Sequence, residues 1–155
     1  MTISDLLAEL RALPSPFTEL FGLRLDTLTP EEVTATLTVD PTRHLHPWGA
    51  VHGGVYCTLS ETLTTLGAQL SALPAGKLAS GIENHTSFLR QVRDGQLRAR
   101  ATAINRGRQL HLWAVTVSDE RDRIVAHGLV RLALLEGIPE QRPGSSTSPR
   151  EAEPS

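Results

Sequence analysis

The feature that most constrains the fold is a long apolar segment with one charged side chain near its middle. Residues 49–76 carry Glu61 as their only charged residue when histidine is counted as neutral. The segment predicts one long helix from about Gly53 to Leu73, which Pro74 and the residues after it end. Burying a lone carboxylate costs free energy unless another group pairs with it or uses it. An exposed helical strip is the alternative place for Glu61, but such strips usually carry several charges.

The predicted helix begins with His52-Gly53-Gly54, which leaves backbone N–H groups without covering side chains. A ligand oxygen can approach these groups and is favoured there by the positive end of the helix. An oxygen-binding helix end and an isolated carboxylate on one helix indicate acyl-transfer chemistry. Two interpretations stay open at this point. The glycines can instead serve close packing against a strand, and His52 can be a structural histidine rather than a substrate contact.

On both sides of this helix, apolar residues alternate with a period of two, which predicts strands. The strictest example runs from Val33 to Val39, where threonines separate the apolar residues. The predicted strands span residues 21–27, 33–39, 77–92, 97–103, 110–118 and 124–135, and a short amphipathic helix spans 2–13. Turns at 93–95, 105–108 and 119–123 separate the later strands, so hairpins and an antiparallel sheet are expected.

One apolar helix among so many strands is best covered if the sheet curls around it. The sequence therefore predicts an α+β chain with the hot-dog architecture. A length of 155 residues suits one such domain. We assign residues 1–17 to an N-terminal helix and linker, and residues 18–136 to the hot-dog domain. Residues 137–155 are rich in Pro, Ser and charge and are predicted to be a disordered tail.

Composition argues against several other classes of protein. The net charge of −2 gives no sign of nucleic-acid binding, and no stretch is apolar enough to cross a membrane. The first residues lack the pattern of a signal peptide, and the single cysteine, Cys57, fits a reducing cytoplasm. His44 and His46 have no neighbouring cysteine or carboxylate cluster that would complete a metal site. We expect a cytoplasmic protein that binds no metal, membrane or nucleic acid.

The run from Trp48 to Glu61, with the His-Gly-Gly triplet inside it, resembles the PaaI and 4-hydroxybenzoyl-CoA thioesterase family of hot-dog enzymes. Within that family it is most similar to the Arthrobacter-type 4-hydroxybenzoyl-CoA thioesterases. The run from Asn84 to Arg90 and the later turn at Gly107 continue the likeness, which covers residues 18–135. The spacing from the glycine pair to Glu61 is specific for the subgroup and much less specific for the substrate.

The resemblance implies an active site on this helix. The N–H of Gly53 would polarise a thioester carbonyl, Glu61 would act as nucleophile or general base, and Thr65 would assist it. Thr65 lies four residues after Glu61 and therefore on the same helical face. His52 is a further candidate, and His46 stands where the family usually has an Asn or Gln that touches the thioester. A neutral imidazole can donate one hydrogen bond, which would keep that role.

The same resemblance places the nucleotide of coenzyme A (CoA) at the loop after the fourth strand, at Arg108 and Gln109. Arginine can form bidentate hydrogen bonds with phosphate, and Arg90 and Arg106 also lie near strand ends and turns. Asn84 belongs to the similar run and is counted with these candidates for substrate and CoA binding. CoA would arrive as part of the substrate, so no separate cofactor is expected.

Gly53 and Glu61 lie too far apart on one helix to act on the same thioester. Their spacing corresponds to about 12 Å along the axis and about 80° of rotation. Reacting atoms must approach to about 3–3.5 Å. A second helix, antiparallel beside the first, would bring its own Glu61 to the Gly53 end. We therefore expect a homodimer that shares its active sites, and the resemblance implies that such dimers pair into homotetramers.

These observations predict an acyl-CoA thioesterase that acts on an aromatic or similarly compact acyl group. Whether Glu61 attacks the thioester or activates a water stays open. The alternative is a non-catalytic hot-dog protein that binds acyl-CoA as a sensor or carrier. Glu61 and Thr65 argue against it, because binding alone requires neither. A hydratase on the same fold is disfavoured, since the spacing of His52 and Glu61 does not match an Asp/His pair on the central helix.

Overall fold

The computed structural model describes residues 15–137 together with Ala8. The predicted helix over 2–13, apart from Ala8, and the predicted tail beyond residue 137 lie outside the described residues. The elements in chain order are α1 (Pro16–Phe21), β1 (Leu23–Leu28), β2 (Glu32–Thr38), α2 (Gly53–Ala72), β3 (Lys77–Phe88), β4 (Gln96–Arg106), β5 (Leu110–Ser118) and β6 (Ile124–Glu136). None of the described helices combines the length and the apolar character that crossing a bilayer requires.

The six strands form one antiparallel sheet in the order β1-β2-β4-β5-β6-β3. Helix α2 contacts β2, β3, β4, β5 and β6, so the sheet curls around it and leaves β1 and β3 as its two edges. The predicted α+β class, with a hot-dog sheet wrapped around one long central helix, is confirmed.

The core lies between one face of α2 and the concave face of the sheet. Leu59, Leu63 and Leu70 on that face of the helix are buried, and they belong to the same cluster as Trp113 of β5. Gly67 allows the Trp113 ring to lie directly on the helix, because a Cβ there would stand 2.4 Å from the ring. The packing therefore fixes the rotation of α2 and decides which of its residues face away from the core.

The predicted strand over 21–27 is wrong at its start, because a short helix ends there. Ser15 caps α1 by accepting a hydrogen bond from the Thr18 N–H at 3.4 Å, and Pro16 occupies the first turn. Proline suits that position because its missing N–H would have no partner within the helix. Gly22 then ends α1 with a φ of 71°. The helix crosses the predicted boundary between the linker and the hot-dog domain.

Two other strand ends differ from the prediction. β3 stops at Phe88 rather than at residue 92, because the next two N–H groups both donate to Val125 O, at 2.8 and 3.2 Å, and turn the chain away. β4 continues to Arg106, through the first part of the predicted turn. A register shift between Ala103 and Asn105 keeps this end of β4 paired with β5.

Candidate active site

Glu61 lies on the partly buried side of α2 that faces β3. Its carboxylate sits directly above Gly81, since a Cβ on that glycine would stand 1.8 Å from Glu61 Oε1. The missing side chain of Gly81 therefore creates the space that the carboxylate occupies. None of the ion pairs within residues 15–137 includes Glu61.

Two neutral side chains contact the Glu61 carboxylate. Asn84 Nδ2 donates to Oε2 at 3.3 Å, and Thr65 Oγ1 donates to Oε1 at 3.5 Å. The structure thus joins Glu61 and Thr65, as their spacing predicts. It also places Asn84, a candidate for substrate and CoA binding, in contact with Glu61.

Glu61 and Thr65 open onto a cavity of about 730 Å³. Its walls come from α1, β1, α2 and β3. The apolar wall residues are Phe17, Leu23, Leu25, Leu66 and Ala79. A concave, mostly apolar cavity with a few polar groups is the usual form of a small-molecule site. The carboxylate therefore faces a space in which an apolar group can be held.

The first turn of α2 leaves the N–H of Gly53 available. The N–H of Gly54 donates to His52 Nδ1 at 2.9 Å, and the N–H of Val55 donates to His52 O at 2.9 Å. The N–H of Gly53 has no acceptor among the described residues. His52 thus has a structural role as the capping residue of α2, and the donor that the predicted mechanism requires is the one left free.

Gly53 also serves close packing, which confirms that interpretation, while its role as a donor to a thioester stays a prediction. A Cβ on Gly53 would stand 2.6 Å from the ring of Phe88 on β3. Phe88 is 54 % exposed, so its ring forms an apolar surface beside the free N–H. A ligand that reaches the N–H of Gly53 would contact this ring.

His46 lies in the hairpin that leads into α2. Its Nδ1 accepts a hydrogen bond from the Trp48 N–H at 3.1 Å. The neutral ring therefore carries its proton on Nε2, which is an N–H donor in this assigned tautomer. The nearby His44 is structural, because it is buried and bonded to backbone atoms through both ring nitrogens. The described part of the chain contains no group of three or more His, Cys, Asp and Glu side chains that could hold a metal ion.

The predicted CoA-binding residues Arg106, Arg108 and Gln109 lie together where β4 turns into β5. Arg106 Nη1 forms an ion pair with Glu31 Oε1 at 2.7 Å. Arg108 is exposed and forms no ion pair with another residue of the described range. The guanidinium that a phosphate could engage without breaking an existing pair is therefore that of Arg108.

A cleft of about 480 Å³ lies beside this turn, at the end of α2. Lys77, Arg106 and Arg108 contribute positive charge to its wall, and His111 lines it as well. Burial and the charge of Arg106 lower the pKa of His111, which favours its neutral form. Lys77 Nζ pairs with Glu136 at 2.8 Å and donates to Arg108 O at 3.3 Å. Since Lys77 and Arg106 are paired, the positive charge of this cationic cleft that stays unpaired among the described residues is that of Arg108, at the predicted nucleotide-binding loop.

Arg90 does not join this group. Its N–H donates to Val125 O, next to Phe88 and the start of α2, whereas Arg108 lies near the end of α2. Helix α2 has 20 residues, a length of about 30 Å. Arg90 and Arg108 of one chain therefore cannot hold the same phosphate group.

Sequence reasoning missed four residues that shape the site. A glycine inside a strand pattern signals a bulge or a close approach, and this signal could have identified Gly81. The contribution of Phe17 depends on α1, which the sequence analysis did not predict. The positions of Phe88 and Lys77 follow from contacts between β3 and distant parts of the chain, which no local pattern reports.

Comparison with known proteins agrees with this geometry. The family model described as thioesterase superfamily matches residues 49–126. "Putative esterase Rv1847" of Mycobacterium tuberculosis is 39% identical over 126 residues, which cover 80% of this chain and 89% of that protein. "Proofreading thioesterase EntH" of Cronobacter turicensis is 32% identical over 105 residues, which cover 68% of this chain and 75% of that protein.

Solved structures share the architecture. The structure of the M. tuberculosis protein matches with a TM-score of 0.76 and 38% identity, and the match covers 81% of this chain and 100% of that one. Thioesterase HI1161 from Haemophilus influenzae matches with a TM-score of 0.75 and 28% identity, over 92% of this chain and 96% of that one. The fold and the likenesses together define a protein of the hot-dog thioesterase class. The chain belongs to the thioesterase superfamily. The closer likeness to the Arthrobacter-type subgroup stays a prediction.

Proposed function

We propose that the protein hydrolyses acyl-CoA thioesters whose acyl group is aromatic or similarly compact. The observation that carries the proposal is the position of Glu61. Its carboxylate has no ion-pair partner among the described residues, is held by Asn84 and Thr65, and faces a largely apolar cavity. The thioesterase name of the C. turicensis relative supports a thioester as the substrate bond. Cys57, the single cysteine, fits a reducing cytoplasm as the location.

The proposed reaction begins when the thioester carbonyl oxygen accepts a hydrogen bond from the N–H of Gly53. This donor and the positive helix end stabilise the negative charge that develops on the oxygen. In one route Glu61 attacks the carbonyl carbon, CoA leaves as the thiolate, and water hydrolyses the mixed anhydride. In the other route Glu61 takes a proton from the water that attacks. Both routes consume one water, release a carboxylic acid and CoA, and need no cofactor.

His46 is proposed as a second donor to the thioester oxygen. The family usually places an amide side chain at this position. The assigned tautomer of His46 supports the exchange, because Trp48 occupies Nδ1 and leaves Nε2–H as a donor.

The acyl group and the CoA arm are proposed to use the two described cavities. The apolar wall that includes Phe17, Leu25 and Leu66 suits an aromatic acyl group next to Glu61. The cationic cleft at Arg108 suits the phosphates of CoA. Along α2, the cleft residue Ser71 lies about 15 Å beyond Glu61, so the phosphate and thioester sites would occupy separate parts of one extended ligand.

The site is proposed to be completed by a second copy of the chain. Within one chain, Gly53 and Glu61 are about 12 Å apart along α2. β3 supports a dimer, because it is an edge strand of 12 residues without a buried side chain. Edge strands this long and open are normally covered or paired. An antiparallel copy beside β3 would place each Glu61 at the Gly53 end of its partner, and two such dimers would form the predicted homotetramer.

A non-catalytic acyl-CoA sensor or carrier is the alternative function. Such a protein could use the same cavity and cationic cleft. It would have no need for a carboxylate held above Gly81 by two hydrogen bonds.

The discriminating experiment incubates the protein with a panel of aromatic and aliphatic acyl-CoAs and a thiol reagent that reports free CoA. The proposal predicts CoA release, fastest for aromatic or compact acyl groups, and a loss of at least about 10²-fold in kcat for Glu61→Gln. Glu61→Gln keeps the shape of the side chain and should melt at the wild-type temperature. Tight binding without CoA release would support the sensor, and near wild-type turnover in Glu61→Gln would refute the mechanism.

A further inference from the structure

The side chain of Asn84 joins Glu61 to two other parts of the site. Asn84 Nδ2 lies 3.3 Å from Glu61 Oε2 and 3.0 Å from Cys57 O, so both of its N–H donors have an acceptor. Asn84 Oδ1 accepts a hydrogen bond from Thr86 Oγ1 at 2.7 Å. The amide is therefore fixed in one orientation, with its donors toward α2 and its oxygen along β3.

Thr86 is itself held against the helix. Its hydroxyl lies 3.2 Å from Ser60 Oγ, and Gly128 of β6 leaves the space for this pair, because a Cβ there would stand 2.9 Å from both oxygens. Thr86 is partly buried and Ser60 is buried. The orientation of Asn84 thus depends on a series of hydrogen-bonded side chains, from Thr86 to Ser60, that ends at a buried residue of α2.

On the side away from Asn84, the Glu61 carboxylate lies between the Gly81 backbone and the Thr65 hydroxyl. Gly81 lies beneath Oε1, and the register of β3 against β6 shifts between Gly81 and Glu83. Any side chain at Gly81 would displace the carboxylate. Oε2 is therefore engaged by Asn84, while Oε1 is directed over Gly81 toward Thr65 and the cavity.

We infer that Asn84 is a positioning residue for Glu61, which assigns distinct roles to the two carboxylate oxygens. Asn84 holds Oε2 in place by a hydrogen bond, and Oε1 is left as the oxygen that reacts. The inference rests on the proposed function, in which Glu61 is the catalytic carboxylate. It differs from the expected role of Asn84 in substrate binding, because a positioning residue acts on turnover rather than on the binding of CoA.

Few other charged or titratable groups of the described chain face Glu61. α1 contributes Glu19, which lines the same cavity, and α2 contributes Cys57, one turn earlier. In the proposed dimer, His46 and His52 of the second copy would also approach the site. The cavity residues from β1 and β3 carry no charge: Leu23, Leu25, Ala79, Ser80 and Gly81.

The test measures the pH dependence of kcat and kcat/KM for Asn84→Leu and Asn84→Asp. Asn84→Leu removes the hydrogen bond and should lower kcat about 10- to 100-fold, with KM for acyl-CoA nearly unchanged. Asn84→Asp places a second carboxylate beside Oε2 and should move the acidic limb of the profile up by about one pH unit or more. Thr86→Val, which removes only the hydroxyl that orients Asn84, should cause a smaller loss of the same kind.

Thr116→Asp is the control, because it adds the same charge to the outer face of the sheet on the inner strand β5, away from the proposed dimer edge. It should leave the profile at its wild-type position. A wild-type acidic limb in Asn84→Asp, or a rise in KM without a loss of kcat in Asn84→Leu, would overturn the inference. Glu61→Gln is measured in parallel. If it is inactive while the Asn84 variants are normal, the inference alone fails; if it is active, the proposed function fails first.

Discussion

The residues of α2 that face the sheet differ in contacts and burial from those that face the cavity. On the sheet side, Leu59, Leu63 and Leu70 are buried against the strands, and Gly67 lets a tryptophan ring reach the backbone. On the cavity side, Cys57, Glu61 and Thr65 follow one another at four-residue intervals and are only partly buried, and the last two are polar. The sheet side therefore supplies the core packing, and the cavity side presents a carboxylate without an ion-pair partner among the described residues.

This contrast shows why the helix is apolar almost throughout. The sheet covers one side, and a largely apolar cavity and the exposed edge strand β3 lie on the other. Each side also has a glycine whose missing side chain leaves space for a neighbouring group. Gly67 makes room for core packing, whereas Gly81, on the strand opposite Glu61, makes room for the Glu61 carboxylate.

Truncation on the sheet side should give the largest effect. Leu63 is fully buried, so Leu63→Ala should cost about 2–5 kcal/mol of unfolding free energy. Chemical denaturation measures this loss, and turnover per folded molecule at low temperature should stay near wild type. If a folded Leu63→Ala protein had lost its turnover, the two sides of α2 would not differ in function, because a residue on the sheet side would then also be needed for catalysis.

Thr65→Val tests the cavity side with nearly the same side-chain volume. The change removes the hydroxyl that lies 3.5 Å from Glu61 Oε1. We expect kcat to fall about tenfold, the weaker end for a hydrogen bond to a charged group. The unfolding free energy should stay within about 1 kcal/mol of wild type, because Thr65 is only partly buried. A stability loss as large as that of Leu63→Ala would contradict the assignment of Thr65 to the functional side.

Arg108→Ala tests the cleft at the far end of α2. Of the three substitutions, it should change stability and turnover least. We expect KM for acyl-CoA to rise about fivefold, since one partly solvated phosphate contact is lost. An acyl-pantetheine thioester, which lacks the nucleotide, should react at its wild-type rate. Arg100→Ala is the matched control, because Arg100 pairs with Glu32 on the outer face of the sheet. Equal losses on both substrates would rule out a phosphate contact at Arg108.

Much of the fold could be predicted because the periodicity of the sequence changes at the helix. The period of two, the turns, and the single apolar helix suffice for an antiparallel sheet around α2. Helix α1 was missed although Ser15 before Pro16 is a helix start signal, because the apolar residues from Phe21 onward were assigned to a strand. The end of β3 was missed because it depends on two hydrogen bonds to Val125, far along the chain.

Some contacts of the candidate site could likewise be predicted from the sequence, and others could not. Glu61 and Thr65 share a helical face, so their contact follows from spacing alone. The contact of Asn84 with Glu61 and the clearance above Gly81 depend on the register of β3 beside α2, which the sequence does not specify. His52 illustrates a third case, in which spacing identified the residue and the structure assigned it a capping role.

The central claim is that the oxyanion donor and the carboxylate of each site come from different copies of the chain. Gly53→Pro removes the donor, and proline is tolerated in the first turn of a helix. Its Cβ would stand 2.6 Å from the Phe88 ring, so the substitution is made in a Phe88→Ala background that serves as the reference. Glu61→Ala in the same background removes the carboxylate.

The measurement is the acyl-CoA turnover of dimers that contain one chain of each kind. Each variant alone should be nearly inactive. A mixed dimer has one site with an intact Gly53 N–H and an intact Glu61, so it should recover up to half of the reference activity. Absence of recovery in mixed dimers of proven composition would mean that donor and carboxylate come from the same chain, and it would contradict the account.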